Sequence, residues 1–435
     1  MLLSDTTADL YARFQQCRAV STDTRQPQDG TLFFALNGPS FRGAAFAPQA
    51  LEKGALFAVV DDAELAAANP ERYFYAPDTL LALQQLALFH RRQLGSMPIV
   101  AITGSNGKTT TKELLHAVLS RRFRVQYTRG NLNNHIGVPL TLLTISPEAH
   151  DMAVVEMGAN HQGEIDSYCQ YAEPTHGLIT NIGKAHLEGF GGIEGVAKGK
   201  SELFRYLAAH CGTAFVNTAD ARLPELSTPV AQRITYPSAG DTYPAKLVAA
   251  APHVSLRLFD GTPIEAAITG AYNFVNLAAA AAVGAHFGVP TADIAAALAS
   301  YDPTNNRSQL VRTERNQVIL DAYNANPSSM AAAILSLAAR PGEASQKVAL
   351  LGDMFELGAE SEAEHSALGD LLAQQQFGTV VLVGKDMHHA LRPGFQHFVT
   401  KAEATDWLRQ HPLAERQILV KGSRGMGLET LMELL

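Results

Sequence analysis

The chain has 435 residues, 46% of them hydrophobic and 17% charged, with a formal net charge of −8. At about 150 residues per domain this length implies about three domains with cores of their own, and the composition excludes a disordered chain. The acidic balance speaks against a nucleic-acid-binding surface but leaves room for a local basic pocket that takes an anionic ligand.

Residues 1–10 carry Asp5 and Asp9 and lack a basic segment followed by an apolar run, so no secretory signal is expected. Cys17, Cys169 and Cys211 are odd in number and contain no C-x-x-C pair, which predicts neither a disulfide framework nor a zinc site and fits a reducing, cytoplasmic setting. Residues 31–36 and 56–60 read as strands of a small α/β unit spanning 1–95, with the turn-rich Asn37-Gly38-Pro39-Ser40 after the first. Residues 79–94 have apolar side chains at helical spacing and lead into a second domain, 96–301. There 99–102, 152–155 and 178–180 read as strands separated by helical sequence, the rhythm of a parallel sheet covered on both faces. Residues 196–207 read as one helix, and 277–283, the most apolar stretch, as a buried helix too short to span a membrane. A second boundary falls at Tyr301-Asp302-Pro303. Beyond it, 318–320, 348–351, 380–383 and 418–420 read as strands trailed by helical sequence, predicting a doubly wound domain over 302–435. With three α/β units, the natural active site is the cleft where they meet.

The run Ala101-Ile102-Thr103-Gly104-Ser105-Asn106-Gly107-Lys108-Thr109-Thr110 follows an apolar strand and opens a helical pattern through Leu114, Leu115, Val118 and Leu119. Its glycines let backbone N–H groups close around phosphate oxygens, Lys108 can bridge the β and γ groups, and the Thr109 hydroxyl can ligate Mg²⁺ at a helix N-terminus. Two residues separate the glycines where the common loop has four, so the strand-loop-helix context carries the reading against an ordinary Asn-Gly turn.

Other residues leave alternatives open. Glu156 ends a strand, where a carboxylate can complete a Mg²⁺ shell or simply face solvent. His186, in Thr180-Asn181-Ile182-Gly183-Lys184-Ala185-His186-Leu187-Glu188, follows another strand, yet a lone histidine is more often a satisfied polar residue than a ligand. Lys198 and Lys200 lie in helical sequence, where a solvated face is the ordinary reading. Asn273 and Asn276 are three apart on one helix face, and either an amide for a base or ribose or a helix cap accounts for them. Arg307 lies just past the second boundary, where a mobile domain could deliver a guanidinium to a triphosphate. Asp321-Ala322-Tyr323-Asn324-Ala325-Asn326-Pro327 places polar and turn-forming residues at a strand's end, which suggests a site.

Taken in order, G-S-N-G-K-T-T, E-M-G-A-N, N-I-G-K-A-H-L-E, K-S-E-L-F, N-F-V-N-L-A-A and D-A-Y-N-A-N-P-S-S-M resemble the Mur ligase family over nearly the whole chain. The segments 130–139, 351–358 and 421–424 resemble the branch that handles D-alanyl-D-alanine. The resemblance implies an α/β fold of three domains: a small N-terminal UDP-substrate domain, a central parallel-sheet P-loop ATPase domain and a C-terminal Rossmann-like doubly wound domain. It implies an ADP-forming ligase that uses ATP and Mg²⁺ to add D-alanyl-D-alanine to UDP-N-acetylmuramoyl-tripeptide through an acyl phosphate. The expected setting is cytoplasmic peptidoglycan precursor synthesis by a monomer, with no nucleic-acid partner and no membrane span.

It further implies that Gly104, Ser105, Asn106, Gly107, Lys108, Thr109 and Thr110 hold ATP, with Asn276, Arg307 and Asp321 as further nucleotide contacts. Thr109 and Glu156 would bind Mg²⁺, and His186 a second ion. Lys200 matches a lysine that the family carbamylates, a change that turns a cation into an anion with two oxygens. Thr24 and Arg25, in Thr22-Asp23-Thr24-Arg25, match the uridine-diphosphate segment. Asn133, Asn134, Asn324 and Asn326 are expected to face substrate. Tyr272 and His135 depart from the family pattern, which often has histidine and an acidic residue there, and this puts substrate detail in doubt more than reaction type. Because Arg307 and Asp321 must reach a nucleotide held at 104–109, an open ligand-free arrangement is expected. The nearest rivals are another Mur ligase or a folylpolyglutamate synthase; a nucleotide-dependent regulatory protein would be a different class.

Overall fold

The computed structural model describes residues 5–303 and 307–435. Contacts along the chain gather into two compact units: Met1–Ala101, Phe123–Gly158 and Glu164–His176 form one, and Ile102–Arg122, Ala159–Gly163 and Gly177–Leu435 the other.

The N-terminal sheet runs β1 (Ala19–Ser21), β2 (Thr31–Phe34), β3 (Phe57–Val60) and β4 (Tyr73–Tyr75), all parallel and in chain order. All four side chains of β2 are buried, as expected of a strand covered on both faces. Phe33, Ala35, Ala47, Ala58, Val60 and Tyr73 form its core. Helix Thr79–Gln93 follows, capped by the Asp78 carboxylate on the Leu81 N–H at 2.9 Å.

The central sheet contains β5 (Ile99–Thr103), β6 (Val125–Tyr127), β7 (Met152–Glu156), β8 (His176–Ile179), β9 (Thr213–Asn217) and β10 (Gln232–Tyr236), in the order β10-β9-β8-β5-β7-β6. The order reverses direction about β5, which is where open α/β sheets place ligands. A small antiparallel meander follows, β11 (Lys246–Ala249), β12 (Ser255–Arg257) and β13 (Pro263–Glu265). Its short strands and weak alternation give no strong signal, and the sequence reading lacks it.

The last sheet, β14 (Gln309–Arg312), β15 (Gln317–Asp321), β16 (Lys347–Gly352), β17 (Thr379–Val383), β18 (Gln396–Phe398) and β19 (Gln417–Lys421), is ordered β14-β15-β19-β16-β17-β18. Every pairing is parallel except β14 with β15, an antiparallel edge that the apolar-run reading also missed. Val318, Leu320, Val348, Leu350, Val381, Val383, Ile418 and Val420 make one core beneath it.

The helix expected over 196–207 is two helices, Ile193–Lys200 and Glu202–Ala209, meeting at Ser201 with φ −69° and ψ −5°. No described helix is long and apolar enough to cross a membrane.

Candidate active site

Strand β5 is buried throughout and apolar up to its last residue, Thr103, and the chain leaves its carboxyl end through two residues at positive φ, Gly104 at 137° and Gly107 at 80°. A side chain at Gly104 would drive a Cβ into Thr180, and one at Gly107 would meet the Asn276 amide oxygen at 2.6 Å. Only glycine tolerates both the dihedral and the approach. Helix Lys108–Leu119 then starts directly at the loop, with Gly107, which has no side chain to cap it, as its N-cap residue. Such an end favours anions.

The loop is clamped by the segment after β8. Ser105 Oγ donates to Gly183 O and accepts from Gly183 N, both at 2.9 Å, while Asn106 N donates to Asn181 Oδ1 at 3.1 Å. Asn181 Nδ2 and Thr180 Oγ1 donate back to Asn106 O at 3.0 and 2.6 Å. Lys108 Nζ folds over the loop, donating to Gly104 O at 2.7 Å and Ser105 O at 3.1 Å. Thr109 and Thr110 are buried in the first helical turn. The sequence reading assigned no role to Asn181, although its motif was in view.

Asn276 lies beneath the loop, accepting from Thr111 Oγ1 at 3.2 Å and donating to Asn273 Oδ1 at 2.9 Å. Asn273 is the first residue of helix Asn273–His286, with its amide on Thr269 O at 2.7 Å. Tyr272, not Asn273, occupies the N-cap position.

The C-terminal residues already touch this loop, contrary to the open arrangement expected. Asn326 Nδ2 donates to Asn106 Oδ1 at 2.7 Å, and Lys184 N donates to Ser328 Oγ at 2.8 Å. Asp321, at the end of β15, accepts from Ser308 N at 3.0 Å and pairs with Lys421 Nζ at 2.6 Å; the two side chains are 14% and 3% exposed. Lys421 also donates to Asn324 O at 3.0 Å, so this lysine shapes the whole 321–324 turn. Asn324 itself is exposed, with its side chain on Ala325 N.

His186 begins helix Leu187–Phe190 in the left-handed region at φ 52° and pairs through Nδ1 with Glu356 Oε2. That hydrogen bond is the main reason the Glu356 carboxyl is held below the usual range. Glu356, inside G-D-M-F-E-L-G, is a partner that the sequence reading did not assign. Lys200 is wholly buried, its Nζ donating to Ala159 O at 2.9 Å and lying 4.8 Å from the Phe190 ring centroid, whereas Lys198 is exposed. Among the described residues no group of three or more His, Cys, Asp or Glu side chains is gathered as a metal cage.

Within the other unit, Glu156 is buried at the end of β7, accepting from Asn133 Nδ2 at 2.8 Å. Its backbone N–H donates to Thr128 Oγ1 at 2.9 Å. Asn134 caps the turn before helix Gly137–Leu142 through Gly137 N at 2.9 Å. Arg25 grips Asp23 through Nη2 at 2.7 Å and pulls that carboxyl down to about 2. Lys53 Nζ donates to Thr24 O at 2.8 Å, and the Arg25 side chain, in the turn after β1, is 87% exposed.

Three family descriptions match in succession: "Mur ligase family, catalytic domain" over residues 16–91, "Mur ligase middle domain" over 102–284, and "Mur ligase, glutamate ligase domain" over 306–424. The UDP-N-acetylmuramoyl-tripeptide–D-alanyl-D-alanine ligase of Escherichia coli K12 is 38% identical, covering 96% of this chain and 93% of that protein. The ligase of the same name from Bacillus subtilis 168 is 34% identical over 95% of this chain and 92% of its own length. A crystal structure of MurF from Acinetobacter baumannii superposes with a TM-score of 0.88 at 34% identity, covering 98% of this chain and 97% of that one.

Proposed function

The chain belongs to the Mur ligase family, and from that premise we propose that it joins D-alanyl-D-alanine to UDP-N-acetylmuramoyl-tripeptide with cleavage of ATP to ADP. It is a ligase of peptidoglycan synthesis, as its relatives of 34% and 38% identity over nearly full length are. The observation that carries the ATP step is the clamped loop, with two positive-φ glycines, a helix start and Lys108 folded over its carbonyls.

A carboxylate is a poor electrophile, and an amine does not displace hydroxide from it near neutral pH. Transfer of the γ-phosphoryl to the tripeptide carboxylate gives an acyl phosphate that the dipeptide amine attacks, releasing phosphate. Lys108 and the helix N-terminus offset the charge that spreads over the moving phosphoryl group, and the 180–183 clamp holds them in place before reaction. Asn276, Arg307 and Asp321 are assigned to the nucleotide. Thr24, Arg25, Asn133, Asn134, Asn324 and Asn326 are assigned to the remaining substrate groups. The exposed Arg25 side chain already holds Asp23 through Nε and Nη2, so a diphosphate would meet its remaining N–H donors.

Thr109, Glu156, His186 and a carbamylated Lys200 are the residues that would hold Mg²⁺, an ion that favours hard oxygen donors such as hydroxyl, carboxylate and carbamate. Such an ion would neutralise phosphate charge. The reaction is assigned to the cytoplasm and to a monomer.

The test is ADP formation by purified chain given UDP-N-acetylmuramoyl-tripeptides, with diaminopimelate or lysine as third residue, and a panel of dipeptides. Release that requires both tripeptide and D-alanyl-D-alanine is the expected result. ADP release indifferent to the amine would overturn the ligase assignment.

A further inference from the structure

Two arginines converge on one aromatic ring at the end of β15. The Arg307 guanidinium carbon lies 3.6 Å from the Tyr323 ring centroid and that of Arg424 lies 5.2 Å away, with Arg424 Nη1 3.4 Å from the Tyr323 hydroxyl. At 3.6 Å the first guanidinium rests directly on the ring face. The backbone on both sides is pinned separately: Ser308 N, next to Arg307, donates to Asp321 Oδ1, and Lys421 ties Asp321 to Asn324 across Tyr323. Arg307 Nε is buried and has no hydrogen-bond partner among the described residues, and no carboxylate among them pairs with this guanidinium.

We propose that Tyr323 is a positioning residue of the nucleotide site, its ring face aiming the Arg307 guanidinium at phosphate oxygens while Arg424 steadies the ring from its hydroxyl. This rests on reading Arg307 as a nucleotide contact. A carboxylate partner would also hold an arginine still, but it would neutralise the charge and occupy the N–H fork that phosphate requires. A ring face attracts the cation through its quadrupole and leaves that fork open. An arginine already held against a ring loses less side-chain freedom when the anion arrives, so Tyr323 strengthens ATP binding without touching ATP.

The experiment is calorimetric titration of the full chain with a nonhydrolysable ATP analogue and Mg²⁺. The variants are Tyr323→Phe, Tyr323→Leu, Arg307→Ala and the Tyr323→Leu/Arg307→Ala pair, with thermal melting run on each. Tyr323→Met serves as a second ringless variant where leucine lowers the melting midpoint. Tyr323→Phe keeps the face and is expected within about threefold of wild type, whereas Tyr323→Leu loses about tenfold in affinity. In the Arg307→Ala background, removing the ring is expected to change affinity by less than about twofold, because the group it positions is gone. Additive losses, or phenylalanine as damaging as leucine, would overturn the positioning role and leave Arg307 standing as a contact. Wild-type affinity in Arg307→Ala would overturn the reading of Arg307 itself, and the proposal with it.

Discussion

The Asn326 side-chain amide donates to Asn106 Oδ1 at 2.7 Å while its own oxygen accepts from Ser329 N at 2.9 Å, so one residue caps helix Pro327–Ala338 and holds the 104–107 loop. The two roles separate by substitution. Asn326→Ser keeps a capping hydroxyl and is expected to leave stability nearly unchanged while ligation slows. Asn326→Ala loses both and costs about 1 kcal/mol of stability in addition. Urea denaturation alongside ADP release distinguishes them, and equal ligation rates in serine and wild-type enzymes would remove the inter-residue bond from the mechanism.

Lys108→Ala should slow ligation by about 10²-fold or more, because Lys108 is the loop's only cation and folds directly over Gly104 and Ser105 carbonyls. Turnover close to wild type would show that phosphate charge is neutralised elsewhere.

Lys200 and Lys198 lie two residues apart in one helix, yet one is fully buried and the other exposed. Lys200→Ala is expected to cripple the enzyme in a way that bicarbonate does not repair and that short-chain carboxylic acids partly rescue, by entering the vacated space as a carbamate substitute. Lys198→Ala is expected to remain within about twofold of wild type, as for a solvated surface site. An essential Lys198 with a dispensable Lys200 would shift the register of this segment.

His90 sets an acid limit on the stability of the first unit. The ring is buried, with Nε2 2.7 Å from Ile145 O and Nδ1 3.2 Å from the Tyr11 hydroxyl, and burial lowers its pKa below the ordinary 6.5. The neutral ring is therefore the folded form, and below pH 6.5 the unfolded chain binds the proton first. Stability is expected to fall as pH drops below that value, with a slope of at most about 1.4 kcal/mol per pH unit from this residue, until the folded ring also protonates. His90→Gln removes this dependence. Urea midpoints of the first transition in mildly acidic and neutral buffer would sink the assignment if wild type and variant keep the same difference.

Local chemistry was enough to read the strand-loop-helix at 101–110, the apolar strands and the family, because each depends on residues adjacent in sequence: a strand, two glycines, a lysine and a helix start occupy those ten residues. The short meander β11–β13 and the antiparallel edge β14 escaped because strands of three or four residues carry too little periodicity to separate from loop. What the sequence could not supply is pairing over long separation. Asn106 with Asn326, His186 with Glu356, Asp321 with Lys421 and Arg307 on Tyr323 join segments whose meeting depends on strand order and on which sheet end each loop leaves. The two lysines make the same point within one helix. Sequence ranks Lys198 and Lys200 alike as helical lysines, and only the packing of that helix puts Lys200 against Phe190 and the Ala159 carbonyl while its neighbour faces water.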